Sequence, residues 1–208
     1  MLLQHPFQII SPTVDGDALA VLAGADAEFT APQVHALVGH YTVEGVRRAL
    51  QRLTSQGIVI VRRPTRAALY RLNRAHLGAD AVVAIATIRQ RLLAELRRRL
   101  EQWAPSAEFV ALFGSAATGA MRDHCDIDVF IVRPSNVDAD LLAWPEQIEA
   151  MERDVTSWTG NDTRVLEYDT SEVREGRAHG DPVLHDILRD GIVLHGSASL
   201  LRRPRVKE

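Results

Sequence analysis

The 208-residue chain has a single cysteine, Cys125. It can form no intramolecular disulfide, which fits a reducing compartment. No apolar run approaches the roughly 18 residues that a membrane span needs, and the opening MLLQHPFQ lacks a basic start and a long apolar stretch. No signal peptide and no membrane partner are expected, and the expected location is cytoplasmic. There is no internal repeat, no low-complexity tract and no Cys/His spacing suited to zinc. A formal net charge of -3 gives no strong overall pull toward nucleic acid or membrane. An apolar share of 46% is ordinary for a globular protein. The length allows one large domain or two small ones.

The charge average hides an asymmetry. From His40 to His76 there are eight Arg and one acidic residue, Glu44, a net of +7 (8 − 1). The local pattern predicts three helices and a hairpin. A short apolar helix spans residues 17–23. Thr30 and Gln33 form a capping box for the next, which stops at Gly39. Thr42 caps a third, with Val43, Val46, Leu50 and Leu53 as its apolar stripe and Gly57 as its stop. Two strand-like runs, 58–61 and 68–72, flank an Arg-rich turn. The third helix exposes Arg47, Arg48, Gln51 and Arg52, and the turn carries Arg62, Arg63 and Arg66. Arginine clustered on one helix and one loop is the footprint expected for a phosphate backbone. The stretch resembles the winged helix-turn-helix domains of bacterial transcriptional regulators. The resemblance implies double-stranded DNA as partner, with those seven side chains at the contact, and a homodimer on two half-sites. Protein binding or a solvated basic face is the competing reading.

Residues 80–103 read as one long helix with Val82, Ile85, Ile88, Leu92, Leu96 and Leu100 in a stripe, ended by Pro105. The expected division is a DNA-binding domain at 1–78, a connecting helix at 79–104 and a second domain at 105–208.

That second domain is organised around FVALFGSAATGAMRDHCDIDVFIV, residues 109–132. Two apolar runs, 109–113 and 129–132, read as buried strands. Between them lie Gly114-Ser115 and then Asp126 and Asp128. Residues i and i+2 of a strand share a face, so the two carboxylates project together while Ile127 and Val129 face the core. Two like charges so close need a neutralising partner, and a hard divalent cation such as Mg²⁺ suits carboxylates plus substrate phosphates. Gly114 allows close backbone approach, and Ser115 is expected to open a helix whose free N–H groups attract phosphate.

Gly-Ser, ten intervening residues and Asp-x-Asp resemble the signature of the nucleotidyltransferase (polymerase beta-like) superfamily, in its minimal branch. The resemblance implies an α+β protein, with the winged helix-turn-helix followed by an α/β nucleotidyltransferase domain with a mixed sheet. It implies transfer of a nucleoside monophosphate, AMP from ATP or another NTP, to a hydroxyl of a protein or small molecule. Two Mg²⁺ would be held by Asp126, Asp128 and a third carboxylate on a neighbouring strand. Glu167, on a strand expected at 163–168, is the candidate for that third acid and for general base, with Asp162 and Asp169 as rivals. Gly114, Ser115 and Arg122 would hold the nucleotide. Thr118 and Cys125 stand where relatives often carry Arg and Ser. The fused basic domain suggests a regulator whose protein acceptor is a toxin. The competing class is a transcriptional regulator whose nucleotidyltransferase fold senses nucleotide or is inactive.

Overall fold

The structure, a computed structural model, describes residues 1–64, 67–140 and 142–202. The chain divides into two units, Leu2–Gln90 and Arg91–Glu208, with Met1 counted in the second.

In the first unit α1 spans Val14–Ala23, with Asp15 and Asp17 in its first turn, where acidic groups complement the helix dipole. It begins three residues earlier than the apolar pattern predicts. The capping box at Thr30 and Gln33 forms and starts α2, Ala31–Val38. The Thr42 hydroxyl accepts from the Gly45 N–H at 3.0 Å and starts α3, Val43–Ser55, which buries Val46, Ala49, Leu50 and Leu53. Strands β1 (Val59–Arg62) and β2 (Leu69–Leu72) pair antiparallel, Val59 opposite Leu72. Phe29 extends this ribbon through two backbone bonds with Tyr70, each 2.8 Å. The core joins Leu22, Val34, Leu50, Val59 and Tyr70.

The helix expected over 80–103 is instead two, α4 (Ala79–Ala86) and α5 (Ile88–Leu100). The break is at Thr87, whose hydroxyl donates back to the Val83 carbonyl at 2.8 Å and competes with the helical ladder. The apolar stripe runs through the break, so periodicity alone does not reveal it.

In the second unit a four-stranded mixed sheet has the order β5-β4-β3-β6. Its strands are β3 (Phe109–Phe113), β4 (Ile127–Arg133), β5 (Thr163–Asp169) and β6 (Ile192–Gly196). β3 runs antiparallel to both β4 and β6, while β4 and β5 are parallel. The parallel pair needs a crossover, and α7 (Ala143–Thr159) supplies it. Between β3 and β4 lies the short α6, Gly114–Thr118. β5 leads into α8 (Thr170–His179), then α9 (Pro182–Asp190). Phe109, Ala111, Phe130 and Val132 fill one face of the sheet against Val173, Leu184 and Ile187. Val110, Leu112, Ile127, Val129 and Ile131, on the opposite face, are equally buried. β4 is thus a central strand covered on both faces, so its run is continuously apolar rather than alternating. Among the described residues no helix is long and apolar enough to cross a membrane.

Candidate active site

The site forms where β3 ends and β4 begins. Phe113 and Asp128 are register partners across the antiparallel pair, so the turn after Phe113 lies beside the Asp128 carboxylate. Gly114 makes that approach possible. Its φ of +66° is a left-handed conformation, and an added Cβ would stand 2.5 Å from Asp128 Oδ2. α6 starts at Gly114 with Phe113 at its N-cap and no side-chain cap. Ser115 therefore lies inside the helix rather than opening it, because the helix starts one residue earlier than expected. Thr118 donates its hydroxyl to the Gly114 carbonyl at 3.2 Å.

A compact turn delivers the aspartates. The Cys125 N–H donates to the Arg122 carbonyl at 3.1 Å, the Arg122 N–H donates to Cys125 Sγ at 3.2 Å, and His124 takes a φ of 64°. Asn161, buried, donates its amide to the Cys125 carbonyl at 2.8 Å. The Ile127 N–H donates to the Asp162 carbonyl at 2.8 Å. These bonds fix the start of β4 against the start of β5. Arg122 occupies the turn with its side chain exposed, and no contact joins it to the aspartates.

Parity decides which side chains meet. On β4, Asp128 shares a face with Phe130 and Val132. On β5, its register partner is Arg164, followed on the same face by Leu166 and Tyr168. Leu166 and Tyr168 pack with Phe130 and Val132, which confirms the face. Arg164 Nε lies 2.9 Å from Asp126 Oδ2. The position beside the aspartates on the neighbouring strand thus holds a guanidinium. Burial pushes the Asp128 carboxyl above its ordinary pKa, the Asp126 charge adds to this, and Arg164 partly opposes it.

Glu167, the expected third carboxylate and base, is not part of this group. It is register partner to Ile131, three residues farther along and on the opposite face. Its Oε1 takes a 2.6 Å bond from Arg133 Nε, and Arg133 also donates to the Val137 carbonyl at 2.5 Å. Glu167 therefore helps hold the loop leaving β4. Asp169 caps α8: its Oδ1 accepts from the Ser171 hydroxyl at 2.5 Å and from the Ser171 and Glu172 N–H groups at 2.7 and 2.8 Å, and these bonds, the hydroxyl's first, hold its carboxyl below the ordinary carboxylate range. Asp162 presents its backbone carbonyl to β4 while its side chain is exposed. Arg164 is the residue that reading the sequence missed. Period two places it with Leu166 and Tyr168, but only the β4–β5 register brings it level with Asp128.

The donor set fits one divalent cation shared with a substrate's phosphates, because Mg²⁺ takes one or two carboxylates and completes its shell with phosphate and water. Among the described residues no group of three or more His, Cys, Asp or Glu could hold a metal by itself.

In the first unit four of the expected contact arginines are already engaged. Arg52 makes two bonds to Asp15, at 3.1 and 2.7 Å, and Arg62 two to Glu28, at 3.0 and 2.5 Å. Arg47 and Arg48 share Glu44 at 2.7 and 3.3 Å. Gln51 and Arg63 are exposed, and Arg66 lies outside the described residues. Asp15 and Glu28 fall before the basic stretch in sequence. Over Leu2–Gln90 nine Arg stand against six Asp and Glu, a net of +3 (9 − 6) rather than +7.

Residues 93–179, less than half of the chain, match the family model described as "Nucleotidyltransferase domain". The chain carries a nucleotidyltransferase domain, and nucleotidyltransferase is the enzyme class that the match supports. No curated protein matches the chain. A crystal structure of the toxin–antitoxin MntA–HpeT, in mutant form, is 15% identical, with a TM-score of 0.36 over 52% of this chain and 77% of that one. A toxin–antitoxin structure with AMP-PNP is 17% identical, with a TM-score of 0.34 over 53% and 75%. TrmBL2, an archaeal chromatin protein described with a novel mode of DNA binding, is 13% identical, with a TM-score of 0.30 over 79% and 66%. These likenesses are too weak to carry an assignment.

Proposed function

We propose that the second unit transfers a nucleoside monophosphate, AMP from ATP in the simplest case, to a hydroxyl of a protein or small molecule. The observation that carries this is the convergence of Gly114, Asp126 and Asp128 at one strand end inside the segment that matches the nucleotidyltransferase domain. Gly114 leaves its backbone open to a phosphate beside the Asp128 carboxylate. Asp126 and Asp128 would hold Mg²⁺, which would neutralise phosphate oxygens and acidify the acceptor hydroxyl. The hydroxyl oxygen forms its bond to the α-phosphorus and releases its proton to solvent while the bond to the bridging oxygen breaks and pyrophosphate departs. The two aspartates aim the phosphate chain for that in-line displacement. Glu167 takes no part.

We also read Leu2–Gln90 as a winged helix-turn-helix that binds duplex DNA. Support comes from the order of three helices and a hairpin and from the exposed Arg47, Arg48, Arg52, Arg62 and Arg63. Together the two readings describe a regulator with an enzymatic arm.

A second reading is favoured by one observation. Arg164 sits beside the aspartates, which suits a domain that senses nucleotide without transferring it. Incubating the purified protein with α-labelled ATP, Mg²⁺ and cell lysate separates the two. A labelled product that disappears in Asp128→Asn supports transfer. No label, with operator binding that responds to nucleotide, supports the sensor.

A further inference from the structure

We infer that Arg164 is a resident counter-ion of the aspartate pair, which makes metal binding at Asp126 and Asp128 conditional on nucleotide. This rests on the nucleotide-site reading above. The geometry has three parts. The β4–β5 register places Arg164 level with Asp128 and on its face. Its Nε lies 2.9 Å from Asp126 Oδ2, within ion-pair distance. Its side chain is 72% exposed while that of Asp126 is 22% exposed, so the guanidinium reaches in from solvent over a carboxylate that is largely covered.

A divalent cation at this carboxylate must compete with the guanidinium for the same oxygen, and the two cations repel at that distance. An exposed ion pair is weak, so the guanidinium is displaceable. The guanidinium also has a better partner when nucleotide arrives, because its planar fork matches phosphate oxygens. A triphosphate beside Gly114 would draw Arg164 off Asp126, free the carboxylate and leave the guanidinium on a phosphate. Nucleotide and metal then bind with positive coupling, part of which passes through Arg164. Without nucleotide one of the two charges is met by Arg164, and metal is held more weakly.

Mn²⁺ titration followed by electron paramagnetic resonance, with and without a non-hydrolysable ATP analogue, reads this directly. Without the analogue, Arg164→Ala should bind Mn²⁺ about fivefold tighter than the parent, the loss of one exposed ion pair. Arg164→Lys, which keeps the charge, should stay within about twofold of the parent. With the analogue the Ala variant should lose its advantage. Circular dichroism checks that both variants fold. Equal Mn²⁺ affinity in the parent and Arg164→Ala without analogue overturns the role of Arg164. The site itself would stand in that case if Mn²⁺ binds with analogue and is lost in Asp128→Asn. If neither protein binds Mn²⁺ even with analogue, the site reading fails and the inference falls with it.

Discussion

The two units solve opposite charge problems. In the first, arginines crowd one helix and one turn, and carboxylates answer them: Asp15 and Glu28, from earlier in the chain, for Arg52 and Arg62, and Glu44, on the same helix, for Arg47 and Arg48. These arginines are about half exposed or more, so water screens the pairs and a ligand phosphate can replace the carboxylate at little cost. In the second, two carboxylates are pressed together at a strand end, one is pushed toward its neutral form by burial, and a single arginine answers them. Asp126 is about as covered as Asp15 and Glu28; what differs is that two carboxylates stand together, so their combined charge calls for a cation. An exposed arginine–carboxylate pair is thus a surface feature in one unit and, beside a second carboxylate, part of a candidate site in the other.

If that contrast is right, substitutions should have steep effects in the second unit and shallow ones in the first. Asp128→Asn should lower transfer by about 10³-fold, the scale of losing a group that stabilises transition-state charge, while the fold survives. The stability of the parent should carry a distinct pH signature. Because the folded carboxyl binds its proton more tightly than the unfolded one, the parent loses stability as pH rises from the ordinary carboxylate pKa through the raised folded value. Asp128→Asn should lack that slope, as thermal melts across pH would show.

Gly114→Ala should come next. A side chain there costs roughly 1–3 kcal/mol of backbone strain and would push on Asp128 Oδ2. Transfer should fall by about 10²-fold with a clear drop in Tm, for displaced catalytic geometry.

Asp169→Ala should cost about 1 kcal/mol in denaturant unfolding through the lost α8 cap. It should leave transfer within about twofold, a change of a few tenths of a kcal/mol in barrier.

The smallest effects belong to the first unit. Arg52→Gln and Arg62→Gln should each reduce the salt slope of duplex DNA binding by about 0.9. Glu28→Gln, which frees Arg62, should tighten DNA about threefold at low salt, the worth of one exposed pair. An unchanged slope in both Arg variants would leave the basic face a solvated one.

Much of this was legible in the sequence because it is local. The capping box at Thr30, the Thr42 cap, the apolar runs flanking Gly114 and Asp128, and the Asp-x-Asp pair on one face all follow from neighbours a few residues apart. The Asp169–Glu172 capping box that starts α8 is a local signal of the same kind. What failed was long range. Glu167 was assigned to the site because it lies on the right strand. The β4–β5 register, set where Ile127 meets Asp162, puts Arg164 there instead and leaves Glu167 on the other face with Arg133. The basic tally failed for the same reason: Asp15 and Glu28 are 37 and 34 residues from their partners.

Transfer from α-labelled ATP, measured side by side in Asp126→Asn and Glu167→Gln, tests most directly which face carries the chemistry. Asp126→Asn should fall by about 10³-fold while Glu167→Gln stays within about threefold of the parent, a barrier change under 1 kcal/mol. Loss in Glu167→Gln with activity kept in Asp126→Asn would contradict the assignment of the site to the Asp128 face.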